Sequence, residues 1–382
     1  MKYLFKKKSR RVLAALFDAV GSLLFLGAHR TSGPSRNYRH ILVLRLDHLG
    51  DIFYATAVPQ ALKENFSGCR VTFLTSSAGE ELLKNNPYVD EVLVFDAPWF
   101  SRSKTKKAGQ NNFWAVAREL KKRNFDLALS LRGDLRENFL SFLGGATERV
   151  GHGVTGGGFF LTRMLTYREN VHETRHTLDI LRAVGISRET MTPAIYFDGE
   201  EERSLAAKWS DWRAANPWTL VQLPAGSLAK QWPRVRMEEF LLLCSQKLPG
   251  KRLAFIGDTR VGYEWLTDFL KKKPSLPWKD LLGQTTLREL LWLIRQCCLF
   301  IGPDSGPTHV AASYGIPTLF LYSGTNVFEE WRSLEENADF IRHPVSCSPC
   351  HLLRCPVPGH PCMSGIEPER VVDWVLEKSR GR

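Results

Sequence analysis

Acidic residues are in deficit in this chain: 40 Asp and Glu stand against 52 Lys and Arg, a net charge of +12 over 382 residues. The excess calls for an anionic partner, whether nucleic acid, a membrane surface or a phosphorylated substrate. Low-complexity tracts are absent. Long apolar runs are also missing. The longest, Val12–Ala28, reaches 17 residues and is broken by Asp18, which is the short limit for crossing a bilayer. No convincing secretion signal precedes it. A reduced compartment follows, in which Cys69, Cys244, Cys297 and Cys298, all in apolar surroundings, are small buried hydrophobes.

What is present is a soluble globular composition, 43% hydrophobic and 24% charged. A chain of this length exceeds one ordinary core, so two domains are expected. The basic charge is clustered. Six of the first eleven residues are Lys or Arg, and Lys104, Lys106, Lys107, Lys121, Lys122 and Arg123 form a second group. Behind the first group, Leu13, Leu16, Phe17, Val20, Leu23 and Leu24 repeat at helical spacing, with Arg11, Asp18 and Ser22 largely outside the stripe. That pattern predicts a helix lying in a membrane interface beside anionic lipid. A helix packed on the protein's own surface is the alternative.

Short β-rich runs ("ILVLRL", "RVTFLT", "EVLVFD", "DLALSL") alternate with helical patterns near 50–65, 78–85, 113–124 and 134–143. Residues 97–112 and "VGHGVTGGGFFLT" are expected to be loops. A second series, "WTLVQL", "KRLAFIG", "CLFIG" and "PTLFLY", repeats the alternation. Two doubly wound α/β halves with parallel sheets are implied, their ligand in the cleft between them at the carboxyl ends of the strands. The expected division is 1–39, a basic amphipathic segment and linker; 40–195 and 196–366, two Rossmann-like domains, the second including a cysteine-rich loop at 347–362; and a terminal helix over 367–382.

Three stretches carry chemistry. In "CLFIGPDSGPTHVAAS" a strand runs into Gly302-Pro303-Asp304-Ser305-Gly306-Pro307-Thr308-His309 and then a helix of small residues. Backbone N–H groups at that helix start, with the hydroxyls of Ser305 and Thr308, suit a phosphate; an ordinary helix cap by Asp304 or Ser305 explains them equally. In "VQLPAGSLAKQWP" a strand ends near Gly226 and Ser227, where a glycine permits close backbone approach, and Lys230 supplies a cation. In "RLDHLGD" Asp51 opens a helix and Asp47 precedes it. The dipole of the helix start alone would favour Asp51, but a lone carboxylate facing a diphosphate site is also what group transfer with inversion requires.

Together, "RLDHLGD", "GSLAKQWP" and "GPDSGPTHVAAS", in that order, resemble the family nine glycosyltransferases, the heptosyltransferases of lipopolysaccharide core assembly. The resemblance runs from about Ile41 to the C-terminal helix. It implies a GT-B fold, a nucleotide-sugar donor on the second half and a lipid-linked acceptor on the first. By position, Asp51 matches the catalytic base. Gly226, Ser227, Lys230 and the run Asp304–His309 fall on the donor side, and Asp47, Arg132, Arg136 and His172 on the acceptor side. Asp47-His48 departs from the small or hydroxyl residues that many members carry there. No Asp-x-Asp occurs, so the leaving diphosphate is expected to be stabilised without a metal, by Lys230 and helix N-termini. A cytoplasmic enzyme on the inner face of the inner membrane is implied.

Two other readings compete. A sugar-nucleotide epimerase shares the architecture but needs neither acceptor arginines nor a membrane-seeking helix. A nucleic-acid binder leaves both diphosphate-type loops without a purpose, and no recognition module is present. Finally, Cys347, Cys350, Cys355 and Cys362 stand at spacings that suit a thiolate tetrad for structural zinc, or plain thiols held in a proline-rigid loop.

Overall fold

The computed structural model describes residues 3, 8–24, 37–100, 112–213, 217–223, 226–259, 261–272 and 275–380. The basic residues Lys2, Lys6, Lys7, Lys104, Lys106 and Lys107, most of the expected 97–112 loop and most of the 25–39 linker lie outside these. The chain separates into two units, Met1–Tyr196 and Phe197–Arg382.

The first unit is built on β1 (His40–Leu44), β2 (Arg70–Thr75), β3 (Glu91–Val94), β4 (Leu127–Ser130), β5 (Glu148–His152) and β6 (Arg163–Leu165). They form one sheet in the order β3-β2-β1-β4-β5-β6, every pairing parallel. β1 reads HILVL with four consecutive buried residues. Ile41 and Val43 join one apolar cluster, Leu42 and Leu44 another. Both faces are covered, which is why the strand is a continuous apolar run and not an alternating one.

The second unit contains β7 (Thr219–Gln222), β8 (Leu253–Ile256), β9 (Trp278–Asp280), β10 (Leu299–Pro303), β11 (Thr318–Tyr322) and β12 (Ala338–Arg342). Their order, β12-β11-β10-β7-β8-β9, is the same 3-2-1-4-5-6 winding, again all parallel. Each sheet therefore has its own topological switch point, between β1 and β4 and between β7 and β10. Ligands gather at the carboxyl ends of strands at such points. The final helix, Pro368–Arg380, buries Val371, Val372 and Val375 in the second unit's core.

Two local expectations change. The helix expected over 50–65 is two, α2 (Leu49–Ala55) and α3 (Val58–Asn65), because Pro59 has no N–H to continue the ladder. The glycine-rich stretch expected as loop begins inside β5, where a Cβ on Gly151 would stand 2.8 Å from Ser130 O. The N-terminal helix, α1 (Lys8–Leu24), packs by the side that carries Ala14, Asp18 and Gly21. Ala14 and Asp18 are buried, Asp18 accepts hydrogen bonds from Tyr3 Oη at 2.7 Å and Gly157 N at 2.6 Å, and a Cβ on Gly21 would meet Phe159 at 2.2 Å. Its apolar stripe, Leu13, Leu16, Phe17, Val20, Leu23 and Leu24, is 47–76% exposed. Among the described residues no helix is long and apolar enough to cross a membrane.

Candidate functional site

At the first switch point the chain leaves β1 through Arg45-Leu46-Asp47 and leaves β4 through Leu131-Arg132. Arg45 is 3% exposed. Its Nε donates to Asp47 Oδ1 at 2.7 Å and Nη1 to Leu131 O at 3.3 Å. Nη2 lies 3.1 Å from Asp51 Oδ1 and 3.5 Å from Glu173 Oε1. Arg132 pairs with the other oxygen of Asp47, and its guanidinium stacks 4.7 Å from the Phe100 ring. A buried arginine shared among three carboxylates ties the strand end, the start of α2 and the Glu173–Ala183 helix into one network.

The network divides its carboxyls. Burial alone would raise Asp47, but Arg45 and Arg132 outweigh it and hold the group below the usual carboxylate range. Burial, reinforced by the charge of Asp47 and only partly countered by Arg45, pushes Asp51 up to about 8. Asp51 Oδ1 is buried and accepts no hydrogen bond. Glu137, wholly buried with both oxygens unbonded, is likewise raised to about 8 by burial and by Asp47 and Asp134. Glu173 rises for the first of these reasons. Asp51 thus sits in the range a general base needs near neutral pH.

The remaining acceptor-side residues have defined places. Arg136 forms a bidentate pair with Asp134, at 2.7 and 2.8 Å, and lies 4.5 Å above the Trp99 ring. Asp134 also caps the Leu135–Leu143 helix. His172 caps the helix that brings in Glu173, its Nδ1 accepting from Thr174 N at 3.3 Å.

At the second switch point Gln222 ends β7 and Asp304 follows β10. Lys230 Nζ donates to Asp304 Oδ2 at 2.7 Å and to Asp304 O at 2.9 Å. His309 Nε2 lies 3.1 Å from Asp304 Oδ1, and Asn326 Nδ2 donates to Oδ2 at 2.7 Å. Burial opposes ionisation here too, yet His309 and Lys230 hold Asp304 down at about 2. Ser305 Oγ donates to Gln222 Oε1 at 2.8 Å, and Thr308 Oγ1 to Pro303 O at 2.6 Å. These hydroxyls fasten the turn. Ser305 stands at the N-cap of the Gly306–Ser313 helix without a side-chain cap bond, and Pro307 occupies its first turn. The first-turn N–H groups of Gly306 and Thr308 are therefore not capped by that side chain, an arrangement suited to an anion.

Gly226 is exposed and Ser227 buried. Ser227 Oγ donates to Leu353 O at 2.9 Å, Ala229 N donates to the same carbonyl at 3.1 Å, and His360 Nε2 lies 3.1 Å from Ala229 O. The cysteine-rich loop therefore buttresses the Lys230 turn. Of the two readings of its cysteines, a zinc tetrad or plain thiols, the first finds no support in the structure. Among the described residues no group of three or more His, Cys, Asp or Glu is placed to hold a metal ion. Cys362 is buried in the core, whereas Cys347 is exposed.

Arg45, Glu137, Glu173, Gln222 and Asn326 were not anticipated. Arg45 had a signal, a polar side chain at the end of an otherwise apolar strand, and Gln222 has the same one in "TLVQ". Glu137 and Glu173 look like ordinary helix-start carboxylates until the fold buries them.

The family model for glycosyltransferase family 9 (heptosyltransferase) matches residues 113–359. Lipooligosaccharide heptosyltransferase 2 of Campylobacter jejuni is 33% identical over 102 residues, 27% of this chain and 32% of the relative; the chain thus aligns with about a third of that protein. Lipopolysaccharide core heptosyltransferase OpsX of Haemophilus influenzae is 24% identical over 309 residues, 75% of this chain and 80% of its own. The solved structure of ADP-heptose lipopolysaccharide heptosyltransferase II from E. coli superposes with a TM-score of 0.69 at 16% identity, covering 89% of this chain and 98% of that one. At that identity the likeness shows the fold, the GT-B class of two Rossmann-like units. With nearly two thirds of its residues matched, this chain belongs to glycosyltransferase family 9, the heptosyltransferase family.

Proposed function

We propose that the protein is an inverting glycosyltransferase that moves a heptose from an ADP-activated donor to a lipid-linked acceptor of the lipopolysaccharide core. Asp51 takes the proton of the acceptor hydroxyl as that oxygen bonds to the anomeric carbon. The carbon–oxygen bond to the diphosphate breaks, and its electron pair leaves with ADP. Lys230 and the start of the Gly306–Ser313 helix stabilise the charge that develops on the leaving group. Asp304 positions Lys230, and Ser227 and Gly226 shape the turn around it. In a sequence without Asp-x-Asp this set carries the role that a metal bridge serves elsewhere. Arg132, through its unbonded buried Nε, and Arg136 engage acidic groups of the acceptor, while Asp47 and His172 hold the pocket's shape.

The observation that carries the reading is the buried carboxylate of Asp51, poised near neutrality, whose Oδ1 lies 3.1 Å from Arg45 Nη2 without accepting a hydrogen bond. Membrane association at the inner face is part of the same reading, supported by the outward apolar stripe of α1 and the exposed Lys8 and Arg11 at its start. The test is to incubate the protein with ADP-heptose and a heptose-deficient core acceptor. The reading expects one added heptose by mass spectrometry, with the anomeric configuration inverted by NMR. Retention of configuration, or interconversion of the donor sugar without transfer, would overturn it.

A further inference from the structure

Phe17, in the outward stripe of α1, begins a run of touching rings across the first unit. It meets Phe159 at 5.3 Å between centroids, Phe159 meets Phe160 at 4.2 Å, Phe160 meets Phe139 at 4.8 Å, and Phe139 meets Trp114 at 6.2 Å. Both ends are open to solvent, Phe17 at 47% and Trp114 at 59% exposed. Trp114 lies on the Phe113–Lys121 helix, whose outer face continues with Arg118, Lys121 and, one residue beyond, Lys122, all exposed. The acids nearby are turned elsewhere. Glu119 is committed to Lys122 at 3.1 Å and Arg123 at 2.7 Å, and Asp18 is buried against Tyr3 and Gly157. The exposed charge on this face is positive.

We propose that the Phe113–Lys121 helix is a second membrane-contact element, which forms with α1 one docking face for an anionic lipid bilayer. The inference rests on the membrane-surface reading of α1 given above and adds residues and an orientation to it. Trp114 has the apolar body and polar N–H that settle at the level of lipid headgroups. Arg118 and Lys121 extend flexible stems with cationic ends toward lipid phosphates. A protein groove would not require positive charge on both helices; an anionic surface matches it at each. The rings also continue inward. Phe113 meets Trp99 at 6.2 Å, Trp99 meets Phe100 at 6.1 Å, and these two lie under the guanidinium groups of Arg136 and Arg132. A unit seated on lipid by this face keeps the acceptor arginines joined to the bilayer contact by packed side chains, so that a lipid-anchored saccharide need not leave the membrane to reach the Asp47–Asp51 network.

The experiment is co-sedimentation of the full chain with vesicles of phosphatidylglycerol and phosphatidylcholine, and with phosphatidylcholine alone. Arg118→Ala and Lys121→Ala should each weaken binding to the anionic vesicles about fivefold and leave the weak binding to phosphatidylcholine unchanged. Trp114→Ala should weaken binding to both. ADP affinity by calorimetry, unchanged in every variant, shows that they are folded. Wild-type binding by all three variants, with loss only in a Leu16→Glu variant of α1, would overturn the proposal by leaving α1 as the sole contact. Absence of vesicle binding by the wild type, with heptose transfer to a delipidated acceptor intact, would overturn the docking face and leave the reaction standing. Vesicle binding as described in a protein that transfers no heptose would support the docking face while the proposed reaction fails.

Discussion

The two sheets have the same strand order, and each places polar residues at its switch point, yet the two sets are tuned in opposite directions. In the first unit Asp47, Asp51, Glu137 and Glu173 crowd around Arg45 and Arg132, and three of the four carboxyls are driven upward. In the second, Asp304 alone receives Lys230, His309 and Asn326 and is driven down to about 2. Crowding carboxylates in a dry pocket makes one of them a proton acceptor near neutral pH. Surrounding one carboxylate with donors fixes its charge and holds a lysine in place. Topology supplies the position, and the ratio of acids to cations supplies the chemistry.

The largest effect expected is on the first network's cation. Arg45→Met leaves Asp47, Asp51 and Glu173 without their common partner, and should destabilise the fold by about 3–5 kcal/mol in urea denaturation, since a buried pair is broken from one side. A loss below about 1 kcal/mol would mean that the carboxyls simply protonate and that Arg45 does not organise the pocket.

Lys230→Ala probes the second network. Removing charge-assisted bonds to a diphosphate costs about 1.5–3 kcal/mol, so ADP should bind roughly 10- to 100-fold more weakly by calorimetry. Asp304 keeps His309 and Asn326, so stability should change little. Intact ADP affinity would mean that the Lys230–Asp304 pair only braces the turn.

How much of this contrast the residues reveal before folding differs between the units. Strand ends, turns and helix starts follow from period and turn chemistry, which is why the two sheets and the positions of Asp51, Lys230 and Asp304 are apparent in the chain. β5 and the break at Pro59 are not, because glycine and proline punctuate loops as readily as they permit close packing. Burial of Glu137 and Glu173 depends on which face of a helix meets Arg45, a tertiary fact. Asp18 teaches the same point. It stands outside the apolar stripe of α1, as its spacing implies, but it is buried with Ala14 and Gly21 against the protein while the stripe, Arg11 and Ser22 are exposed.

Stability against pH separates the units more gently. Glu137 is raised from its ordinary value to about 8, so the folded state holds a proton that the unfolded chain has released. Stability from this group is full at acid pH and falls as pH climbs from about 4.5 toward 8, at up to about 1.4 kcal/mol per pH unit. Glu137→Gln should flatten that slope. Asp304 behaves in reverse: its contribution is present above about pH 4 and is lost as pH falls toward 2, so Asp304→Asn should flatten only the acid limb. Hydrogen exchange resolved by unit reads both, and equal slopes in the two units would erase the contrast.

The most direct test places Asp51→Asn beside the wild type in steady-state heptose transfer across pH 5.5–9, with ADP affinity measured by calorimetry on the same samples. In the wild type kcat/KM should rise with pH through a midpoint near 8 and level off above it, as the carboxyl becomes ionised. The variant should lose about 10²–10⁴ in turnover and the pH dependence with it, while ADP binds as before because the proposed donor site belongs to the other unit. A variant that keeps most of its activity, or a wild-type rate that is flat across pH 6–9, would contradict Asp51 as the base.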